Sequence, residues 1–147
     1  MRFCLVLFSL VLLGGAAFAG KEEPLPDLIA RAEAAPLKDR PPLYAKIAKR
    51  RVADADELYR SGKPEQARAA VNDAVSYCDK ATDAADTSGS KLKNTEIAIR
   101  EMADKLANMK RTLDFEDQAP VQAAIDHLQG LRTRLLDRMF GKNKKKK

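Results

Sequence analysis

Few residues in this chain are placed to do chemistry. His127 is its only histidine. A general base needs a group to orient it and a nucleophile to serve. Next to His127 stand Asp126 and the apolar Ile125 and Leu128, which reads as a surface or boundary histidine on a helix. Zinc prefers several Cys or His ligands, and this chain has two cysteines and one histidine, well separated. Di-iron bundles use Glu-x-x-His, but the residue three before His127 is Ala124. Asp79, Asp83 and Asp86 repeat at helical spacing, the pattern of a solvated face, without the alternating oxygen ligands of a calcium loop. No dinucleotide-binding glycine motif and no phosphate loop occurs. The residues therefore predict no catalytic group, no metal and no cofactor, and a protein that is not an enzyme.

Two features remain. Cys78 shares a stripe with Val71, Ala74 and Ala81, where a cysteine serves as a small buried residue. The sharper alternative is a thiol that pairs with another chain in an oxidising compartment. The second feature is the run Lys142-Asn143-Lys144-Lys145-Lys146-Lys147, a flexible cationic tail over residues 142–147. Near an anionic surface each lysine contributes about 1 kcal/mol, and salt screens the attraction. The plainer role of such a tail is solubility. A further cluster, Lys46, Lys49, Arg50 and Arg51, is followed by Asp54, Asp56 and Glu57, so pairing along one helix is expected to neutralise it.

The front of the chain sets the context. Arg2 precedes an apolar run over residues 3–13, and Ala17-Phe18-Ala19 places small residues where a signal peptidase cuts. Residues 1–19 read as a signal peptide, with an uncleaved inner-membrane anchor as the alternative. Cleavage removes Cys4 and leaves one thiol, so no internal disulfide is expected. It leaves 26 basic against 21 acidic residues, and the five tail lysines account for the whole surplus. The body over residues 20–141 is formally neutral. A nucleic-acid-binding body carries a basic surplus of its own, and single-strand binders interleave aromatics; neither holds here, so nucleic acid is not an expected partner.

The composition favours helices. Alanine is abundant, Trp is absent and aromatics make up 5%. Alanine costs least to fix in a helix but buries little, so a thin core is expected. Periodicity predicts five helices and no strands. A short one runs over 28–35, capped by Asp27, and a second over 42–61, started by Pro41-Pro42 and ended by Gly62. A third starts at Pro64 and stops before a linker at 87–90. The fourth covers 91–113, where Ile99, Met102, Leu106, Met109 and Leu113 step by three and four. The fifth covers 120–140, answering with Val121, Ala124, Leu128, Leu131, Leu135 and Met139 and closed by Gly141. Short links make the second and third helices one antiparallel hairpin, and the fourth and fifth another with a near-coiled-coil seam. The fold class is all-α, a helical bundle or short helical array.

Residues 58–67, Leu-Tyr-Arg-Ser-Gly-Lys-Pro-Glu-Gln-Ala, continuing to Val71 and Ala74, carry one more signal. A large residue near the end of one helix, Gly62 at the turn, and small Ala67 and Ala74 seven apart resemble a tetratricopeptide repeat. The resemblance covers about residues 51–81 as a single partial copy, with Arg51 and Asp54 at upstream positions that the family fills with bulky residues. It implies a local helical hairpin and the family's role as a scaffold for peptides and proteins.

The functional expectation is an exported, non-enzymatic binding or structural module of the bacterial envelope, periplasmic or secreted, engaging an unidentified protein or peptide through its helix faces. The alternative is adhesion to a polyanion or an anionic envelope surface through the lysine tail. Self-association through the seam at 99–113 is a further expectation.

Overall fold

A computed structural model describes residues 22–141, nearly all of them helical. The stretch 1–19 that reads as a signal peptide, and all five tail lysines, lie outside the described residues. Five α-helices follow in order: α1 Leu25–Ala34, α2 Arg40–Arg60, α3 Pro64–Ser88, α4 Leu92–Lys110 and α5 Phe115–Phe140. A single turn of 3-10 helix, Leu37–Asp39, leads into α2.

α2 and α3 form one antiparallel hairpin, and α4 and α5 form the other. The hairpins stack so that α2 lies beside α4 and α3 beside α5, while the backbones of α2 and α5 stay apart across the core. Each of these cross-hairpin pairs runs parallel. α1 covers the far side of the first hairpin at its open end, which is therefore buried on both faces there.

This layering explains why α2 and α3 are rich in alanine. One core lies between the hairpins, with Val52, Ala55, Val71, Ala74 and Cys78 meeting Ile99, Met102, Leu106, Val121, Leu128 and Leu135. A second, smaller core lies under α1, where Leu28 and Ala32 meet Tyr44, Ile47, Ala81 and Ala84. A helix that buries two faces beside a close partner has room only for small side chains along much of its length. The apolar residues of α2 thus divide: Ile47 goes to the small core and Val52 and Ala55 to the large one.

The seam expected between α4 and α5 is present. Ile99, Met102, Leu106 and Met109 are buried, as are Val121, Leu128, Leu131 and Leu135, with Leu113 partly buried against them. These side chains meet inside one chain, so any self-association that uses this seam must open the hairpin.

Helix ends differ from the sequence expectation. α5 begins at Phe115, and Pro120 falls inside it. A proline there has no N–H to give the carbonyl of Glu116. α1 starts earlier than expected, at Leu25, which puts Asp27 in its first turn rather than at its cap. α3 runs through the expected linker to Ser88, because Ala84 and Ala85 are still buried there. Gly89, at φ +64°, ends it with the left-handed residue that helix ends commonly require. Gly141 was the residue expected to do this for α5, but it keeps a right-handed φ of −66°.

Candidate binding groove

The stacking of the hairpins sorts the charge. α2 carries six cations against three anions, and residues 91–111, spanning α4, also carry six against three. α3 carries two cations against five anions, and α5 three against four. Since α2 adjoins α4 and α3 adjoins α5, the net-positive helices lie together and so do the net-negative ones, although Arg40, Arg50 and Arg51 of α2 turn toward α1, the segment before it and α3.

The acidic side is closed by its own ion pairs, which climb the α3–α5 seam in parallel order. Arg68 reaches Asp117 at 2.9 Å, Asp79 Oδ1 accepts from His127 Nε2 at 2.7 Å, and Arg134 bridges Asp83 and Asp86 at 2.9 Å each. Arg138 adds a second contact to Asp86 at 3.0 Å. Hydrogen bonding from Arg134, reinforced by its charge, holds the Asp86 carboxyl below its usual range. The aspartates at 79, 83 and 86 therefore form a face that is solvated but matched residue by residue with α5. Asp79 is also the orienting partner that the sequence around His127 lacks. It lies 48 residues away in the chain, and only the α3–α5 packing brings the two together.

Cys78 adjoins Asp79 in sequence but points the other way. It is fully buried, with its sulfur 3.8 Å from Met102 Sδ. Burial, with a smaller effect of the Asp79 charge, pushes its thiol up to about 12. The intermolecular thiol considered for Cys78 is thus withheld from a partner while the fold is closed, since the thiolate is the reactive form. Native protein is expected to resist alkylation by iodoacetamide at pH 8, and to react fully in denaturant. Rapid labelling under native conditions, read by mass spectrometry, would contradict this burial.

The basic side is more open. Two cavities lie end to end along the α2–α4 seam. The larger, about 460 Å³, is lined by Val52, Ala53, Asp56, Arg60, Lys105, Asn108, Met109 and Thr112. The smaller, about 190 Å³, is lined by Pro41, Pro42, Ala45, Lys46, Lys49, Lys91, Asn94, Thr95 and Ala98. Between them Lys49 on α2 meets Glu101 on α4 at 2.6 Å. On α4, Asn94, Glu101 and Asn108 are spaced by seven and share one face. From Pro41 to Arg60 the groove follows α2 for about 28 Å at 1.5 Å per residue. Its floor is small and apolar, and its rims carry amides, a hydroxyl and lysines.

Of the cluster at Lys46, Lys49, Arg50 and Arg51, only Lys46 and Lys49 line this groove, and the two arginines turn to other elements. Arg50 holds Glu22 and the backbone carbonyl of Glu23, and Arg51 reaches Asp73 on α3 as well as Asp54. Lys46, in the smaller cavity, forms no ion pair among the described residues, and neither does Lys105 in the larger one. Sequence reasoning did not anticipate the groove. Its lining comes from two helices that touch only because the hairpins stack.

No protein-family model, curated protein or solved structure matches this chain. Among the described residues no three His, Cys, Asp or Glu side chains converge as a metal site would need, and no helix is long and apolar enough to cross a membrane.

Proposed function

We propose that this protein is an exported, non-enzymatic binding module of the bacterial envelope, and that its α2–α4 groove takes an acidic segment of a protein or peptide partner. The carrying observation is the contrast between the two long seams. The α3–α5 seam is closed by ion pairs, whereas the α2–α4 seam keeps two cavities rimmed by Lys46, Lys91 and Lys105. Amides at Asn94 and Asn108 suit a peptide, because a carboxamide can both donate to and accept from an extended backbone. Asp56 and Glu101 sit among the cations. A continuous polyanion would meet repulsion there, while a mixed-sequence peptide has neutral positions to place against them. The tetratricopeptide-like turn around Gly62 supports the same reading, since that family scaffolds peptides and proteins.

The test is affinity capture from the native envelope, comparing the unmodified chain with an Arg60→Glu, Lys105→Glu double variant. Both side chains lie at the surface, so the fold should hold. A specific partner should be enriched by the unmodified chain and recovered about tenfold less by the variant. Equal recovery by both, or nothing enriched above bare resin, would refute the groove as the binding site.

A further inference from the structure

We infer that the groove takes a second copy of this chain, which inserts Phe115 of its α4–α5 loop into the larger cavity. This rests on the groove reading above and names its occupant.

The donor is the loop between α4 and α5. Phe115 opens α5 and is 89% exposed. One exposed apolar residue is ordinary on a protein surface. The setting of this one is not. The Asp117 N–H donates to the Asp114 carbonyl, and the Gln118 amide to the Leu113 carbonyl, each at 3.0 Å. An aromatic ring on a backbone fixed in this way loses little freedom on binding. Asp114, in extended backbone, and Glu116 flank it. Both are exposed and form no ion pair among the described residues, whereas Asp117 is already taken by Arg68. The loop thus presents an acidic segment with an apolar anchor at its centre.

The acceptor matches it. The cavity of about 460 Å³ has room for a phenyl ring, and Val52, Ala53 and Met109 give it apolar walls. A methionine thioether packs well against an aromatic. On the rim Arg60 is held by Asp56 at 2.7 Å, but Lys105 forms no ion pair among the described residues and can meet a carboxylate beside the incoming ring. The donor end also carries Lys63, Lys110 and Arg111. Lys110 is engaged by Gln122 at 2.5 Å, and Asp56 and Glu101 in the groove offer counter-charge to incoming cations. A loop of mixed charge meets a groove of mixed charge.

The donor does not fill its own cavity. Phe115 lies with Lys110 and Gln122 on the α5 side of α4, while Lys105, Asn108 and Thr112 face α2. Donor and acceptor therefore sit on opposite sides of one helix. Each copy gives its loop to one neighbour and receives a loop from another, a head-to-tail contact. The α4–α5 seam stays closed throughout, unlike the self-association expected from the sequence.

The test uses the chain from residue 20 to residue 147, which keeps every described residue. Light scattering at up to about 1 mM reads the association. The contact is small, so the mass should rise with concentration rather than begin as a fixed oligomer. Phe115→Ser removes the donor and Ala53→Trp fills the acceptor; both positions are exposed, so the fold should hold. Each variant alone should lose more than about tenfold in affinity and scatter as a monomer. An equimolar mixture of the two should form a one-to-one complex, because the first keeps its cavity and the second its phenylalanine. Such recovery also shows that both variants are folded. A mixture no heavier than its components would overturn the inference, and so would either variant associating as strongly as the unmodified chain. An unmodified chain that stays monomeric would overturn it too, but would leave the groove standing, since the envelope capture with Arg60→Glu, Lys105→Glu tests that separately.

Discussion

Replacing Leu106 with alanine is expected to lower the unfolding free energy by about 3 kcal/mol, and the melting temperature by about 10 °C. Leu106 is fully buried in the core that closes the two hairpins on each other. Removing its side chain loses the transfer free energy of the buried atoms and leaves a cavity that the helices can only partly fill. Much of the surrounding core is alanine, which has no alternative rotamer with which to move into the gap. The thinness of that core makes each large side chain count for more, against a total that for a domain of this size is about 5–15 kcal/mol. Leu37, exposed in the turn before α2, is the control: the same substitution there should change stability by less than about 0.5 kcal/mol. Urea unfolding followed by circular dichroism measures both. A Leu106→Ala variant as stable as the Leu37→Ala variant would show that this core does not hold the hairpins together.

The second large effect concerns the one charge buried in the described fold. Glu96 on α4 has only 8% of its side chain exposed and is held by Arg132 on α5. Taking a carboxylate out of water is costly unless its partner stays in place. Arg132→Met removes the partner and keeps much of the packing, so it should destabilise by about 3 kcal/mol. Adding Glu96→Met to that variant removes the stranded charge and should recover most of the loss, because an ion pair replaced by apolar groups of similar size is often neutral. The signature is non-additivity in a double-mutant cycle. Two single losses that simply sum would mean that Glu96 reaches water and that its pairing contributes little. The surface ladder between α3 and α5 should behave differently: its pairs are substantially exposed, and each is expected to contribute under about 1 kcal/mol.

These two cases show what the sequence makes legible. Leu106 is readable because it sits in a run that steps by three and four, and that period places it on one face of a helix wherever the helix goes. The whole α4–α5 seam follows from such periodicity. The pairing of α2 with α3 follows from the short link through Gly62, where a φ of +70° suits glycine. Glu96 is not readable in the same way. Nothing in its neighbours separates a buried glutamate from an exposed one, since its environment is made by Arg132, 36 residues on. The same holds for Asp79 and His127.

The groove was illegible for a further reason. Taken as a total, the charge over residues 20–141 cancels, and this conceals its arrangement. The bias of each helix can be counted from the sequence, but which helices become neighbours is decided by how the hairpins stack. The misplaced start of α5 has a local cause. Proline favours the first turn of a helix, so Pro120 looks like a beginning, yet α5 had already started five residues earlier and tolerates the lost hydrogen bond near its solvent-exposed end.

The separation of basic α2 and α4 from acidic α3 and α5 has a consequence beyond contact. Charge divided in this way gives the described body a dipole with a component running across the bundle. In the field of a charged wall or a charged neighbour, such a body experiences a torque before it touches anything, within a screening length of about 8 Å at physiological salt. It therefore arrives already turned, and successful encounters become more frequent without any change in the strength of the final grip.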